Sequence, residues 1–340
     1  MVLIGVDPHK ASHTAVAIDG EERPVAQLRV AADRSQLQRL LAWAEPLGDD
    51  RMWAEESAGG LGRLLAQQLV AAGETVVDVP ATLAARVRLL GSTKAAKNAP
   101  NDALSTAIAG LRHRDLRPVA VDDHAAVLRM LADRHKDLVA LRTQTACRLH
   151  VALRELVAGG APLRLKADRA ATLLRNVRPT NVVEAERKRI AHDLLADVRR
   201  LDRDITAIKA RIADAVAAAN TALLEIHGVG PIVAAIILGH VGDPRRFPTR
   251  DRFASYNGTA PIEASSGPRA RHRLNPRGNR QLNHALHLIA VTQVGHDTAG
   301  RAYYERKLAE GKTKKEALRA LKRRISDAVW RELQADLHHR

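Results

Sequence analysis

Asp7 directly follows the apolar run at residues 2–6, and Glu55 and Glu56 close a second run that starts at Met52. A carboxylate at the end of a buried strand is costly unless a cation or a donor meets it, so both positions invite a metal ion. Asp102 stands where a helical pattern begins, and alone it reads as an N-cap. Three such carboxylates at element ends in one stretch supply the hard oxygen ligands with which Mg²⁺ grips a phosphodiester, water and phosphate completing the octahedron. A second set of groups lies far downstream, in EASSGPRARHRLNPRGNR, residues 263–280. There Ser265 and Ser266 precede a glycine, and Arg269, Arg271, Arg273, Arg277 and Arg280 follow. A serine hydroxyl is a weak nucleophile until a base or metal activates it and the charge on phosphate is neutralised. Guanidinium forks fit phosphate oxygens, although a solvated loop has the same composition. His284 and His287 stand three residues apart with no third ligand nearby, which makes them ordinary polar helix positions rather than a zinc pair.

The charge balance narrows the partner. The net charge is +16, and it is unevenly spread: residues 1–120 hold 14 basic and 14 acidic side chains, residues 121–222 hold 19 and 13, and residues 223–340 hold 21 and 11. A polyanion therefore meets the second half first, and nucleic acid is the natural candidate because clustered Lys and Arg release its counterions. The C-terminal run KTKKEALRALKRRI, residues 312–325, sets seven basic residues against one acid and adds Lys314, Lys315, Lys322, Arg323 and Arg324 as phosphate contacts. Aromatic residues make up only 2% of the chain, so stacking on single-stranded bases has little to work with. No apolar run approaches the roughly 20 residues of a membrane span, and the N-terminus lacks signal-peptide features, so a cytoplasmic protein with no membrane partner is expected. Cys147, the one cysteine, reads as a core thiol in a helical pattern.

These groups must be positioned by elements. Residues 1–120 alternate β and α: strands at 2–6 and 14–18 form an antiparallel pair, and further strands fall at 25–30, 52–55 and 75–79. Helices are expected near 35–44 with Ser35 as N-cap, at 61–72 ending at Gly73, at 82–90, and from Asp102 to about His113. Residues 121–222 are helical. There Val198, Leu201, Ile205, Ile208 and Ile212 repeat at spacings of 3 and 4, a heptad seam that closes either on its own chain or on another subunit. Residues 223–340 form a third, mostly helical unit that opens with LLEIHGVGPIVAAII, read as helix, glycine turn, helix, a form that offers backbone N–H groups to phosphate.

The ordered pieces GVDPHK from Gly5, WAEESAGG from Trp53, KNAPNDA from Lys97, GVGP from Gly228, YNGTAP from Tyr256, SSG from Ser265 and PRGN from Pro276 resemble the DEDD transposases of bacterial insertion sequences, the IS one-ten family, over nearly the whole chain. The resemblance implies an RNase H-like, RuvC-like α/β N-terminal domain with Mg²⁺ (or Mn²⁺) on its acids, a helical coiled-coil middle, and a mostly α transposase domain with a catalytic serine. Residue by residue, it implies Asp7, Glu56 and Asp102 as metal-binding catalytic acids and Ser266 as the nucleophile, forming a phosphoserine link before strands are exchanged and rejoined. It further implies DNA as substrate, a noncoding bridge RNA as guide, and a homo-oligomer, dimer or tetramer, whose subunits share sites. One position departs from the pattern: the third motif's DxxD is APND here, and Ala99 cannot ligate a metal. Asn98 or a water substitutes, three acids suffice, or this copy is impaired. Two other readings remain, a RuvC-like junction nuclease that uses water, and a nucleic-acid-binding protein that never cuts.

Overall fold

The computed structural model describes residues 1–91, 98–113, 115–263, 272, 273, 275 and 278–338. Two compact units divide the chain, Met1–Asp122 and Asp123–Arg340.

The first unit is built from β1 (Val2–Pro8), β2 (Ser12–Ile18), β3 (Pro24–Ala31), α1 (Gln36–Ala44), β4 (Arg51–Glu56), α2 (Arg63–Ala71), β5 (Val76–Val79), α3 (Ala81–Gly91), α4 (Ala99–Arg112) and β6 (Arg117–Pro118). Its sheet has the order β3-β2-β1-β4-β5-β6, with β1 antiparallel to β2 and parallel to β4. Helices cover both faces, as the near-continuous burial of β1 and β2 requires. On one face Ile4, Val6, Ala15, Ala17 and Trp53 pack against Leu40 of α1 and Leu65 and Leu69 of α2. On the other, Leu3, Val16 and Ile18 meet Ala103 and Ala107 of α4. Ser35 does precede α1, but its hydroxyl donates to Asp33 Oδ1 at 2.7 Å and caps nothing. Asp102 is likewise not the N-cap expected of it. Asn98 holds that place, accepting from the Asn101 N–H at 2.9 Å. Pro100 follows where a missing N–H costs nothing.

The second unit consists of α5 (His124–Arg154), α6 (Ala167–Asn176), α7 (Val182–Ala218), α8 (Pro231–Val241), α9 (Arg250–Tyr256), a two-stranded pair of β7 (Ile262–Glu263) and β8 (His272–Arg273), α10 (Arg280–Gly295), α11 (Ala299–Ala309) and α12 (Lys314–His338). Helices α5 and α7 run antiparallel: His124 reaches the Ala215 carbonyl, Arg142 pairs with Asp202, and Arg187 pairs with Glu155. The seam residues Val198, Leu201, Ile208 and Ile212 are buried within this chain, facing Leu128, Leu138, Leu149 and Leu153 of α5. One core continues from there through α8, which is apolar but for His240 in its last turn, to α10 and α12. At Gly239 an added Cβ would stand 2.6 Å from the Arg129 amide nitrogen, so α8 and α5 touch backbone to backbone.

Two sequence expectations fail in this unit. Cys147 is exposed, because Leu149 and Leu153 carry the buried stripe of α5 and residue 147 lies on the far side of it. The segment before the GVG turn is a single 3-10 turn, Ala222–Glu225, rather than a helix, since only Leu223 in it is buried. Among the described residues, no helix is long and apolar enough to cross a membrane.

Candidate active site

Strand register sorts the acids. Val6 pairs with Glu55 and Gly5 with Ala54, so Glu56, one residue on, lies beside Asp7 on the face that also carries Gly5 and Ala54. Neighbouring strands stand about 4.8 Å apart, which lets two carboxylates so placed approach a common ion. Asp7 is nearly buried, and its Oδ2 lies 3.4 Å from His9 Nδ1. Glu55 points to the opposite face and is fully buried. Both its oxygens lack a hydrogen-bond partner among the described residues. Burial, then the charge of Asp78, pushes the Glu55 carboxyl well above the ordinary range.

Glycines bring α4 to this face. An added Cβ at Gly5 would stand 2.8 Å from Ala107 Cβ, and one at Gly110 would stand 2.7 Å from Ala54 Cβ and 3.2 Å from Leu3 Cδ2. Residue 107 thus sits over Gly5 while residue 110 sits over Leu3, and α4 runs antiparallel to β1. Its first turn, with Asp102, consequently lies toward the strand ends that carry Asp7 and Glu56. Asp102 is buried, and its Oδ1 is ion-paired with Arg88 of α3. Among the described residues, no group of three or more His, Cys, Asp or Glu is gathered closely enough to hold a metal ion. The donor chemistry of Asp7 and Glu56 suits a hard divalent cation, but Asp102 is held by Arg88 and completes no third ligand. Ala99 is the first residue of α4, one turn before Asp102.

Ser265, Ser266, Arg269, Arg271 and Arg277 lie outside the described residues. The framework on either side of them is well defined. Ile262 pairs with Arg273 and Glu263 with His272. Asn257 is fully buried; its Nδ2 donates to Ser326 Oγ at 2.8 Å, and its Oδ1 accepts from the Thr259 hydroxyl at 2.7 Å. Gly258 takes φ +74° and lies so close to Gly278 that a Cβ at residue 278 would stand 2.5 Å from the Gly258 nitrogen. Glycine meets both demands, since it has no Cβ and populates positive φ freely. The Asn279 N–H donates to the Tyr256 carbonyl at 2.6 Å, and Asn283 Nδ2 to the Asn257 carbonyl at 2.9 Å. Tyr256, Asn257 and Gly258 therefore clasp Gly278, Asn279 and Asn283.

Among the basic candidates, Arg280, Lys314, Lys315 and Arg324 are exposed. Lys322 is half-buried and donates to Asn283 Oδ1 at 2.7 Å, while Arg323 is taken up by Asp251 and Asp327. Sequence reasoning missed Arg88 and Asn283, which no spacing rule singles out.

Residues 4–158 match the family described as DEDD_Tnp_IS110, Transposase, and residues 220–305 match the Transposase IS116/IS110/IS902 family. The chain belongs to the IS110 family of DEDD transposases. Among relatives of this IS110-family chain, the insertion element IS900 uncharacterized 42 kDa protein of Mycobacterium paratuberculosis is 28% identical over 98% of this chain and 96% of that protein. The insertion element IS110 uncharacterized 43.6 kDa protein of Streptomyces coelicolor is 44% identical over 31% of this chain and 29% of its own length. Among solved structures, T. thermophilus RuvC in complex with a Holliday junction substrate aligns at 16% identity with a TM-score of 0.29, covering 35% of this chain and 99% of that one.

Proposed function

We propose that this IS110-family transposase cuts and rejoins DNA strands, with Asp7, Glu56 and Asp102 as its metal-holding acids and Ser266 as its nucleophile. The observation that carries the reading is the register that sets Asp7 and Glu56 side by side at the end of β1 and β4, with the first turn of α4 brought over the same face. Asp7 and Glu56 would hold Mg²⁺ or Mn²⁺, and Asp102 would join them on parting from Arg88. Bound there, the ion would polarise the scissile phosphate. The Ser266 oxygen forms a bond to phosphorus as the P–O bond to the departing strand breaks; the serine proton passes to a base and the departing oxygen gains one. Arg269, Arg271, Arg273, Arg277 and Arg280 offset the charge that develops on phosphate.

Exposed Lys314, Lys315 and Arg324, with Lys322 and Arg323 on the same helix, support a nucleic-acid surface on α12. The guide RNA and the homo-oligomer rest on the family resemblance. Because the α7 seam closes on α5, an oligomer would use other residues, and the exposed Met130, Leu141, Val151 and Ile190 are available to a second copy.

The deciding experiment is denaturing-gel detection of a covalent protein–DNA adduct, formed with Mg²⁺ and abolished separately in Asp7→Asn, Glu56→Gln and Ser266→Ala. An adduct that survives in both Ser265→Ala and Ser266→Ala removes the serine mechanism. Cleavage without any adduct turns the reading to a hydrolytic nuclease.

A further inference from the structure

A surface cavity of about 390 Å³ in the second unit is lined by Lys312, Arg319, Lys322, Asn283 and the 258–261 turn. Its charges are unbalanced. Glu316 also lines it. That carboxylate accepts from the Thr313 N–H at 2.9 Å and the Thr313 hydroxyl at 2.7 Å, which closes a capping box at the start of α12, and it also feels the charges of Lys312 and Arg319, so one acid faces three cations. Arg323 already has Asp251 and Asp327. Among the described residues, Lys312, Arg319 and Lys322 form no ion pair, although Lys322 is half-buried.

Like charges gathered with too little counter-charge are costly, and a fold retains them where an anion arrives to offset that cost. Burial, then Arg319 and Arg280, pulls the Lys322 ammonium down to about 8. The same crowding, with burial first, lowers His287 on the facing helix. The ammonium is also aimed: Asn283 Oδ1 takes one of its protons, and Asn283 is itself fixed through Nδ2 to the Asn257 carbonyl. Among the described residues nothing aromatic lines the cavity, so they offer no platform for a base. Its wall includes Ala260, Pro261 and Asn275, which flank the serine segment.

We propose that this cavity is a phosphate subsite that seats a backbone phosphodiester of DNA between Lys312, Arg319 and Lys322, with Asn283 as the positioning residue for the lysine. The assignment of DNA, rather than another phosphate source, rests on the transposase reading above.

Amine labelling of the full-length protein at pH 8, read by mass spectrometry at Lys322, tests it in three arms: alone, with a duplex oligonucleotide, and with inorganic phosphate. Oligonucleotide is expected to slow Lys322 labelling at least fivefold, and millimolar phosphate to slow it in the same direction. Protection by phosphate alone overturns the DNA assignment, and protection by neither overturns the site. In parallel, Lys322→Met and Arg319→Gln should each weaken oligonucleotide binding roughly tenfold and reduce the salt slope of log affinity by about one. Lys322→Met removes a half-buried charge that has no acid partner, so it should melt no lower than wild type; a lower melting point with an unchanged salt slope makes the lysine structural and refutes the proposal. The Ser266 adduct is read separately. Protection at Lys322 without an adduct keeps the subsite and removes the serine mechanism, whereas an adduct without protection does the reverse.

Discussion

Gly5→Ala tests the contact on which the acid site depends. Its Cβ would fall inside the 3.0 Å limit of real Cβ contacts against the Ala103 carbonyl oxygen and the Ala107 nitrogen, and 2.8 Å from Ala107 Cβ. Restoring an ordinary 3.4 Å to that last atom alone moves α4 by about 0.6 Å. The two backbone atoms demand more, about 1.4 Å at the Ala103 carbonyl oxygen. Neither partner is a flexible side chain, so the strain belongs at the upper end of overpacking costs, about 3 kcal/mol. Urea denaturation followed by tryptophan fluorescence reports it, since Trp53 is wholly buried in the same sheet. A retreat of about 1.4 Å by α4 carries Asp102 from Asp7 and Glu56 and should lower metal-dependent cleavage about 100-fold. Gly20→Ala is the control, because nothing lies within 4 Å of its Cβ. Its stability should stay within about 0.5 kcal/mol of wild type. A loss below about 1 kcal/mol in Gly5→Ala, or equal losses in the two variants, would refute the packing of α4 on β1.

Three further variants address single groups. Burial holds the folded-state Glu55 carboxyl well above the 4.5 at which it ionises when unfolded. Wild-type stability should therefore fall above that pH, by about 1.4 kcal/mol per pH unit, until the raised folded value is reached. Glu55→Gln should match wild type below about pH 4.5 and exceed it above that pH; parallel stability curves would mean the carboxyl is ionised in place. Arg88→Gln frees Asp102 from its ion pair. It should cost about 2 kcal/mol in metal-free melts while tightening Mg²⁺ binding in calorimetric titration. Unchanged Mg²⁺ affinity would show that Arg88 does not compete with metal. Ala99→Asp puts a carboxylate in the first turn of α4. The helix end favours it there by about 0.5 kcal/mol, and it should lower the Mg²⁺ concentration needed for half-maximal cleavage. No shift in that concentration would mean the missing acid is of no consequence.

Local signals were enough for much of this. Short aliphatic runs marked β1, β2 and β5, and the 3,4 spacing from Val198 to Ile212 marked the buried stripe of α7, because period alone decides which residues share a face. Period could not say what that stripe packs against; α5 of the same chain answered that. Asp102 was misplaced because two residues fit for a cap, Asn98 and Asp102, stand one turn apart. Only the backbone at Asn98, extended at φ −147°, distinguishes them. The choice between Glu55 and Glu56 turns on the pairing of β1 with β4, a contact between distant segments that no window of sequence contains. Arg88 and Asn283 were invisible for the same reason: each matters through a partner 14 or 39 residues away, Asp102 for one and Lys322 for the other.

The last helix also has a bearing on biosynthesis. Asp336 accepts from the Thr221 hydroxyl at 2.6 Å and the Ala222 N–H at 3.0 Å, and Trp330 Nε1 donates to the Phe247 carbonyl at 2.8 Å, so α12 fastens segments made long before it. It also covers α10, whose Leu282, Leu286 and Ile289 share one core with Leu321, Ile325 and Val329 of α12. Translation at about 5–20 residues per second leaves that face of α10 open for several seconds. During that interval the nascent chain carries a finished first unit and a greasy, unsealed second one. Chaperone capture, or aggregation when synthesis stalls, is expected to strike there, and a premature stop within α12 would release a half-folded product.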